Sequence, residues 1–330
     1  MTLTENISRQ LNDLNFVPLG EARHQYHLYA DYVELLALFA NGDYVSDTHL
    51  VSRLSNEGVQ FTADILDGDT GEEIGSLNGQ MSDSDETWSS EVFSVISDRN
   101  YLFDVKYPFV FKENRISLKD DLSEIQKIYL MLLVASNLKY FKILQPKLAS
   151  EFELISFFVL KNYLPNNACV KQFGRQSDYT GTAIEKIKKL SVDMGVGVDE
   201  DELAGISLLN TQEEGLDIVG WIPFADNIPS MISIFCQCAC GSKWANKQNE
   251  TKRYEEFFNF YKVPPIHSLF IPYALGGADR KFFQSKDINK GMLMFDRRRI
   301  LTQLEDTTFF TTSDSWQIVN RFIEFEEEIA

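Results

Sequence analysis

The chain has 330 residues, 44% of them hydrophobic and 24% charged, and carries a formal net charge of −18. This length suits two domains, each with enough chain to bury a core, and the composition is that of an ordinary globular protein. The charge excludes an indiscriminate basic nucleic-acid binder, and no apolar run approaches the roughly 18 residues of a membrane-spanning helix.

The start, MTLTENISRQ, is polar and does not read as a signal peptide, so a cytoplasmic chain is expected. From His24 to Asn41 apolar residues recur at helical spacing, with Tyr32, Leu35, Leu36 and Phe39 on one stripe, and Gly42 marks the stop. Ser46 and Asp47 can cap a second helix that runs to about Arg53. The stretch 64–91, DILDGDTGEEIGSLNGQMSDSDETWSSE, is rich in Asp, Glu, Gly and Ser and predicts a solvated loop. Its Asp64, Asp67, Asp69 and Glu72 lack the spacing of a calcium-binding EF-hand loop. Strands are expected over Tyr101–Phe111 and Arg115–Leu118. A helix from about Asp120 to Tyr140 should follow, with Ile125, Ile128, Tyr129, Leu132 and Leu133 in the core. Residues 1–145 read as an acidic, mainly helical domain, better suited to docking a partner protein than to reading DNA.

Residues 146–330 read as a mixed α/β (α+β) domain. The run 149–163, ASEFELISFFVLKNY, predicts a helix capped by Ser150 and stopped by Pro165, with Glu151 and Glu153 near its start. There the helix dipole favours both acids without any further role. A strand over 168–174, ACVKQFG, comes next, then a helix from Thr182 to Met194 bearing Lys186, Lys188 and Lys189, and an acidic loop from Asp199 to Glu202. Two apolar runs joined by a polar turn, Leu216–Phe224 and Met231–Cys240, predict a β-hairpin. Glu250–Tyr261 predicts a helix, His267–Ala274 a strand, and Gly291–Leu301 a strand and turn. The basic groups, Arg297, Arg298 and Arg299 among them, are expected on solvated faces unless the fold gathers them.

Two polar side chains, Asp217 and Gln237, interrupt the hairpin. Burying a carboxylate without a partner is costly, and a bound cation removes that cost. An acid and an amide oxygen on neighbouring strands suit a hard cation such as magnesium, provided that both face one side of the sheet. Period-two alternation puts Cys236, Cys238 and Cys240 on one side of their strand and Gln237 with Ala239 on the other. Together with Cys169 these thiols are expected to stay reduced. Alternate residues of one strand are poorly placed for a disulfide, and no histidine nearby in sequence completes a zinc site.

These residues resemble the PD-(D/E)XK, or restriction-endonuclease-like, nuclease superfamily. Gly215-Leu216-Asp217-Ile218-Val219 looks like its first half-motif, and Gln237-Cys238 begins the second in its Gln-containing, Mrr-like form. The superfamily's lysine would fall at Ala239. A lysine displaced onto the following segment takes its place, Lys247 ahead of Lys243. The resemblance covers roughly the last 180 residues and implies an αβββαβ core. It further implies a Mg2+ site, with Mn2+ as substitute, built by Glu153, Asp217 and Gln237, with Glu214 as an outer or additional ligand. The implied activity is metal-dependent hydrolysis of phosphodiester bonds, in DNA before RNA, within a restriction or antiphage system. A protein partner would dock on the acidic N-terminal domain, and a homo-oligomer is left open. Two rival readings stand beside it. One is a degenerate nuclease fold that binds nucleic acid or protein without cutting, which Ala239 favours. The other is a scaffold in which Asp217 and Gln237 hydrogen-bond each other in the core.

Overall fold

The computed structural model describes residues 1–17, 24–40, 43–56, 81–207, 215–224, 226 and 228–325. The chain is mixed α/β and divides into two compact units. One comprises Met1–Leu144, Tyr273–Phe283 and Asp314–Ala330; the other comprises Gln145–Pro272 and Gln284–Ser313. The division expected at residue 145 meets the break after Leu144, but residues 146–330 are not one unbroken block, because two later segments join the first unit. Among the described residues no helix is long and apolar enough to cross a membrane.

The first unit opens with α1 (Leu3–Asn12), which starts at a capping box of Thr2 and Glu5. There follow α2 (Tyr26–Phe39), β1 (Val45–Ser46), α3 (Asp47–Asn56), α4 (Met81–Phe103), β2 (Phe109–Lys112), β3 (Arg115–Leu118) and α5 (Glu124–Ser136). The short strands form a sheet in the order β1-β3-β2. Residues 81–91, expected as loop, and the start of the strand expected from Tyr101 belong instead to α4. Trp88, Val92, Phe93, Val95 and Ile96 are all buried there at helical spacing, which outweighs the acidic MSDSDE start. Gly42 and the acids from Asp64 to Glu72 lie outside the described residues.

Inside this unit Arg99 of α4 meets two acids of α2: its Nη1 lies 2.8 Å from Asp31 Oδ1 and 2.9 Å from Glu34 Oε1. Tyr107 and Tyr129 donate to the Glu34 oxygens at 2.9 and 2.8 Å, and Ser136 donates to Asp31 at 2.8 Å. Burial opposes the Arg99 charge, yet Glu34 and Asp31 beside it hold its guanidinium well above the usual arginine range.

The second unit runs α6 (Gln145–Tyr163), β4 (Cys169–Gln172), α7 (Ala183–Met194), β5 (Gly197–Val198), α8 (Glu200–Leu203), β6 (Ile218–Trp221), β7 (Ser233–Cys238), α9 (Tyr254–Phe257), β8 (Phe258–Asn259), β9 (Ile266–Phe270), β10 (Met292–Phe295), α10 (Arg297–Gln303) and α11 (Thr308–Thr311). Its main sheet has the order β10-β9-β7-β6-β4. The β4, β6 and β7 neighbours are antiparallel, whereas β9 lies parallel to both β7 and β10. On one face α6 packs across β4, β6 and β7. It approaches so closely at β6 that a Cβ on Gly220 would stand 2.6 Å from Leu164 Cδ1. On the opposite face, Val219, Trp221 and Phe235 join a core with Ile187 and Leu190 of α7 and Tyr254 and Phe257 of α9.

Three expectations change here. Helix α6 begins at Gln145, so Ser150 is no cap and Glu153 sits in the third turn, beyond reach of the N-terminal dipole argument. The acidic stretch from Asp199 is a one-turn helix capped by the Asp199 side chain. The helix expected over Glu250–Tyr261 is a 3-10 turn, Glu250–Arg253, followed by the short α9. It stops at Phe257 because Phe258 and Asn259 pair with Val198 and Gly197, and Tyr261 is exposed. Beyond the second unit, α12 (Asp314–Ile323) packs on α5 and α1 in the first unit.

Candidate functional site

Strand β4 ends at Gln172, and the next two residues fork onto one carbonyl. The N–H groups of Phe173 and Gly174 donate to the Asp217 carbonyl at 2.7 and 2.9 Å. The Asp217 N–H donates in turn to the Cys236 carbonyl at 2.9 Å, so its backbone is held between β4 and β7. Its carboxylate is held as well, because Cys238 N–H donates to Oδ2 at 2.7 Å. From α6, Glu153 reaches the same place and accepts from Arg175 N–H through Oε2 at 3.3 Å.

Gly174 lies between the two acids. A Cβ there would stand 2.9 Å from Asp217 Oδ1 and 3.0 Å from Glu153 Oε2, so these two oxygens are at most about 5.9 Å apart. The residue is glycine because any larger side chain would occupy the space the carboxylates converge on. Glu153 is 9% exposed. Glu151, the other acid of this helix, is committed to Lys147 at 3.0 Å.

The strand positions of β7 that face α6 carry thiols. Burial pushes the Cys238 thiol well up, Asp217 and Glu153 push it the same way, and a hydrogen bond with Ser156 of α6 works against them. The Cys236 thiol is raised by burial too, eased by Ser268. Burial raises Cys240, with Glu153 and Asp217 adding to the effect while Arg175 and Lys247 oppose it. Two acids and two cations therefore act on one neighbourhood, whose thiols stay protonated at neutral pH.

Gln237 does not join this group. Alternation places it with Phe235, whose ring packs on Tyr254 at 5.9 Å, and its Nε2 donates to Glu250 Oε2 in the 3-10 turn before α9. Asp217 and Gln237 thus point to opposite faces of the sheet, and neither the shared cation nor the direct hydrogen bond expected of this pair holds. The physical reason is that the regular ladder of β6 starts at Ile218, paired with Cys236. Asp217 lies one residue before it, is freed from the alternation, and turns toward α6. Of the two candidate lysines, both exposed, Lys247 ends a 3-10 turn, Trp244–Lys247, and acts on Cys240, and Lys243 stands at the start of that turn. Glu214 lies outside the described residues.

The sequence reading missed Gly174 and Arg175. A glycine closing a strand beside a candidate acid was the available signal, since such glycines mark close approach by other groups. Among the described residues no three or more His, Cys, Asp and Glu side chains are grouped to hold a metal ion. Two carboxylates with shared access are present, and magnesium binds through one or two carboxylates while keeping several waters, so the donor set fits that ion. No protein-family model, no curated protein and no solved structure matches the chain.

Proposed function

We propose that the second unit is a restriction-endonuclease-like domain that hydrolyses phosphodiester bonds in DNA, with Glu153 and Asp217 as the ligands of a magnesium ion. The observation that carries this reading is the convergence of the two carboxylates on Gly174. The order α6, β4, β6, β7, α9, β9 supports it, being the order the resemblance implies. When bound, such an ion would supply a water of lowered pKa and neutralise the negative charge gathering on the phosphate oxygens. The chain's own contribution is orientation. Cys238 N–H fixes the Asp217 carboxylate and Arg175 N–H the Glu153 carboxylate. Lys247 is the cation to face the substrate phosphate. Gln237 is withdrawn as a ligand. Restriction or antiphage defence is the setting such a domain implies, with the first unit as its partner-sensing part.

The test is a panel of plasmid, linear, single-stranded and RNA substrates with Mg2+ or Mn2+. DNA cutting is expected, and Asp217→Asn should slow it at least about a hundredfold while the melting temperature holds. A second reading, the degenerate fold that binds without cutting, is favoured by one observation: Cys236 and Cys238 occupy the β7 positions facing the acids. DNA retained by the wild type but left uncut on every substrate, with either ion, would select it.

A further inference from the structure

We infer that Gln237 is a positioning residue for Asp217, acting through Glu250 from the opposite face of the sheet. The inference rests on the acid-pair site proposed above. Gln237 is 4% exposed, its Nε2 donates to Glu250 Oε2, and its Oε1 is buried with no hydrogen-bond partner among the described residues. Glu250 in turn lies flat against Gly215. A Cβ on Gly215 would stand 2.6 Å from Glu250 Cβ and 3.1 Å from its Oε2. Gly215 has φ of +89°, in the left-handed region that only glycine enters freely, so the chain there can accept the glutamate alongside it.

Asp217 is two residues further on. The residue after Gln237 grips it from the other side, through the Cys238 N–H on Oδ2. Neighbouring residues of β7 therefore pin the segment Gly215–Asp217 from both faces. The side chain at 237 does so through Glu250 and the backbone at 238 does so directly. A glutamine serves because its amide N–H donates a hydrogen bond to the Glu250 carboxylate. A glutamate would place two carboxylates in contact, and like charges sharing a buried site cannot both ionise. The polar interruption in this strand is accounted for without an ion touching it.

The experiment exchanges the pair. Mn2+ binding by isothermal titration and amide hydrogen exchange at Phe173, Gly174 and Cys238 are followed in wild type, Gln237→Glu, Glu250→Gln and the double variant, with Asp217→Asn as control. Gln237→Glu should weaken Mn2+ binding by about tenfold or more, the range for groups that orient a metal ligand, and speed exchange at the three amides. Adding Glu250→Gln should restore both, since amide and acid have only traded places. A Gln237→Glu chain that fails to fold while the double variant folds is the same restoration. Gln237→Glu binding Mn2+ as tightly as wild type marks residue 237 as a ligand and overturns the inference, as does a double variant no better than Gln237→Glu. Should wild type bind Mn2+ no better than Asp217→Asn, the acid-pair site itself fails and exchange alone decides. Faster exchange in Gln237→Glu, restored in the double variant, upholds the role of the pair; unchanged exchange overturns it.

Discussion

Gly174 is the residue on which the candidate site turns. The two carboxylates beside it are tethered, Asp217 through its other oxygen, Oδ2, to the Cys238 amide and Glu153 through Oε2 to the Arg175 amide, so neither swings away freely. Gly174→Ala puts a methyl group 2.9 Å from one and 3.0 Å from the other, and something must shift. The expected outcome is a loss of about 1–3 kcal/mol from overpacking. Mn2+ affinity should drop about tenfold or more, as when a group orienting a ligand is disturbed. Urea unfolding and metal titration read the two separately. An alanine variant that binds Mn2+ like wild type would show that the acids do not share an ion. The glycine is plain in the sequence at the end of ACVKQFG, but the two side chains it makes room for come from residues 153 and 217, and no local pattern names them.

At the scale of elements, the helices that announce themselves are those with a complete apolar stripe and a cap. Helix α7 starts at Thr182 in a capping box with Glu185, and α5 starts at Ser123 with Gln126. Helix α4 was hidden because its first turns are acidic and its buried stripe begins only at Trp88. That helix is fastened to α2 by the Arg99 network, and a substitution there tests what the network contributes. Arg99→Met leaves Asp31 and Glu34 buried together without their cation, which should destabilise the first unit by about 3–5 kcal/mol. Glu34→Gln, which leaves Asp31 paired with Arg99, should cost less. Denaturant unfolding of both variants measures the difference, and equal losses would mean the second acid is not the burden supposed. The early end of α9 belongs to this scale as well: Phe258 and Asn259 are drawn into a ladder with residues some sixty positions earlier, which outweighs helical propensity.

For the whole molecule, the net charge of −18 sets how nucleic acid can be met at all. Four of the basic side chains that might have formed a phosphate-binding face have partners within the fold. Lys188 pairs with Glu200 at 2.7 Å, Lys189 donates to the Thr180 carbonyl, Arg297 to the Pro272 carbonyl and Arg299 to the Met294 carbonyl. If DNA is bound as proposed, these pairings leave fewer cations to neutralise its phosphates. The logarithm of DNA affinity should fall with the logarithm of salt concentration at a slope no steeper than about −2, each phosphate contact contributing close to −0.9. Fluorescence anisotropy between low and moderate salt reads this slope, and one steeper than about −4 would reveal a basic surface that these pairings hide.

The sequence by itself determined the mixed α/β class, the β-hairpin and the faces of β7, because apolar periodicity and caps are local properties of the chain. It could not determine the face of Asp217. That depends on where the β6 ladder begins, which is set by pairing with Cys236 and by the carbonyl fork from Phe173 and Gly174. Only the tertiary structure brought Glu153 to Asp217 and sent Gln237 to Glu250, because hydrogen bonds between residues distant in sequence decide which side chains share a space.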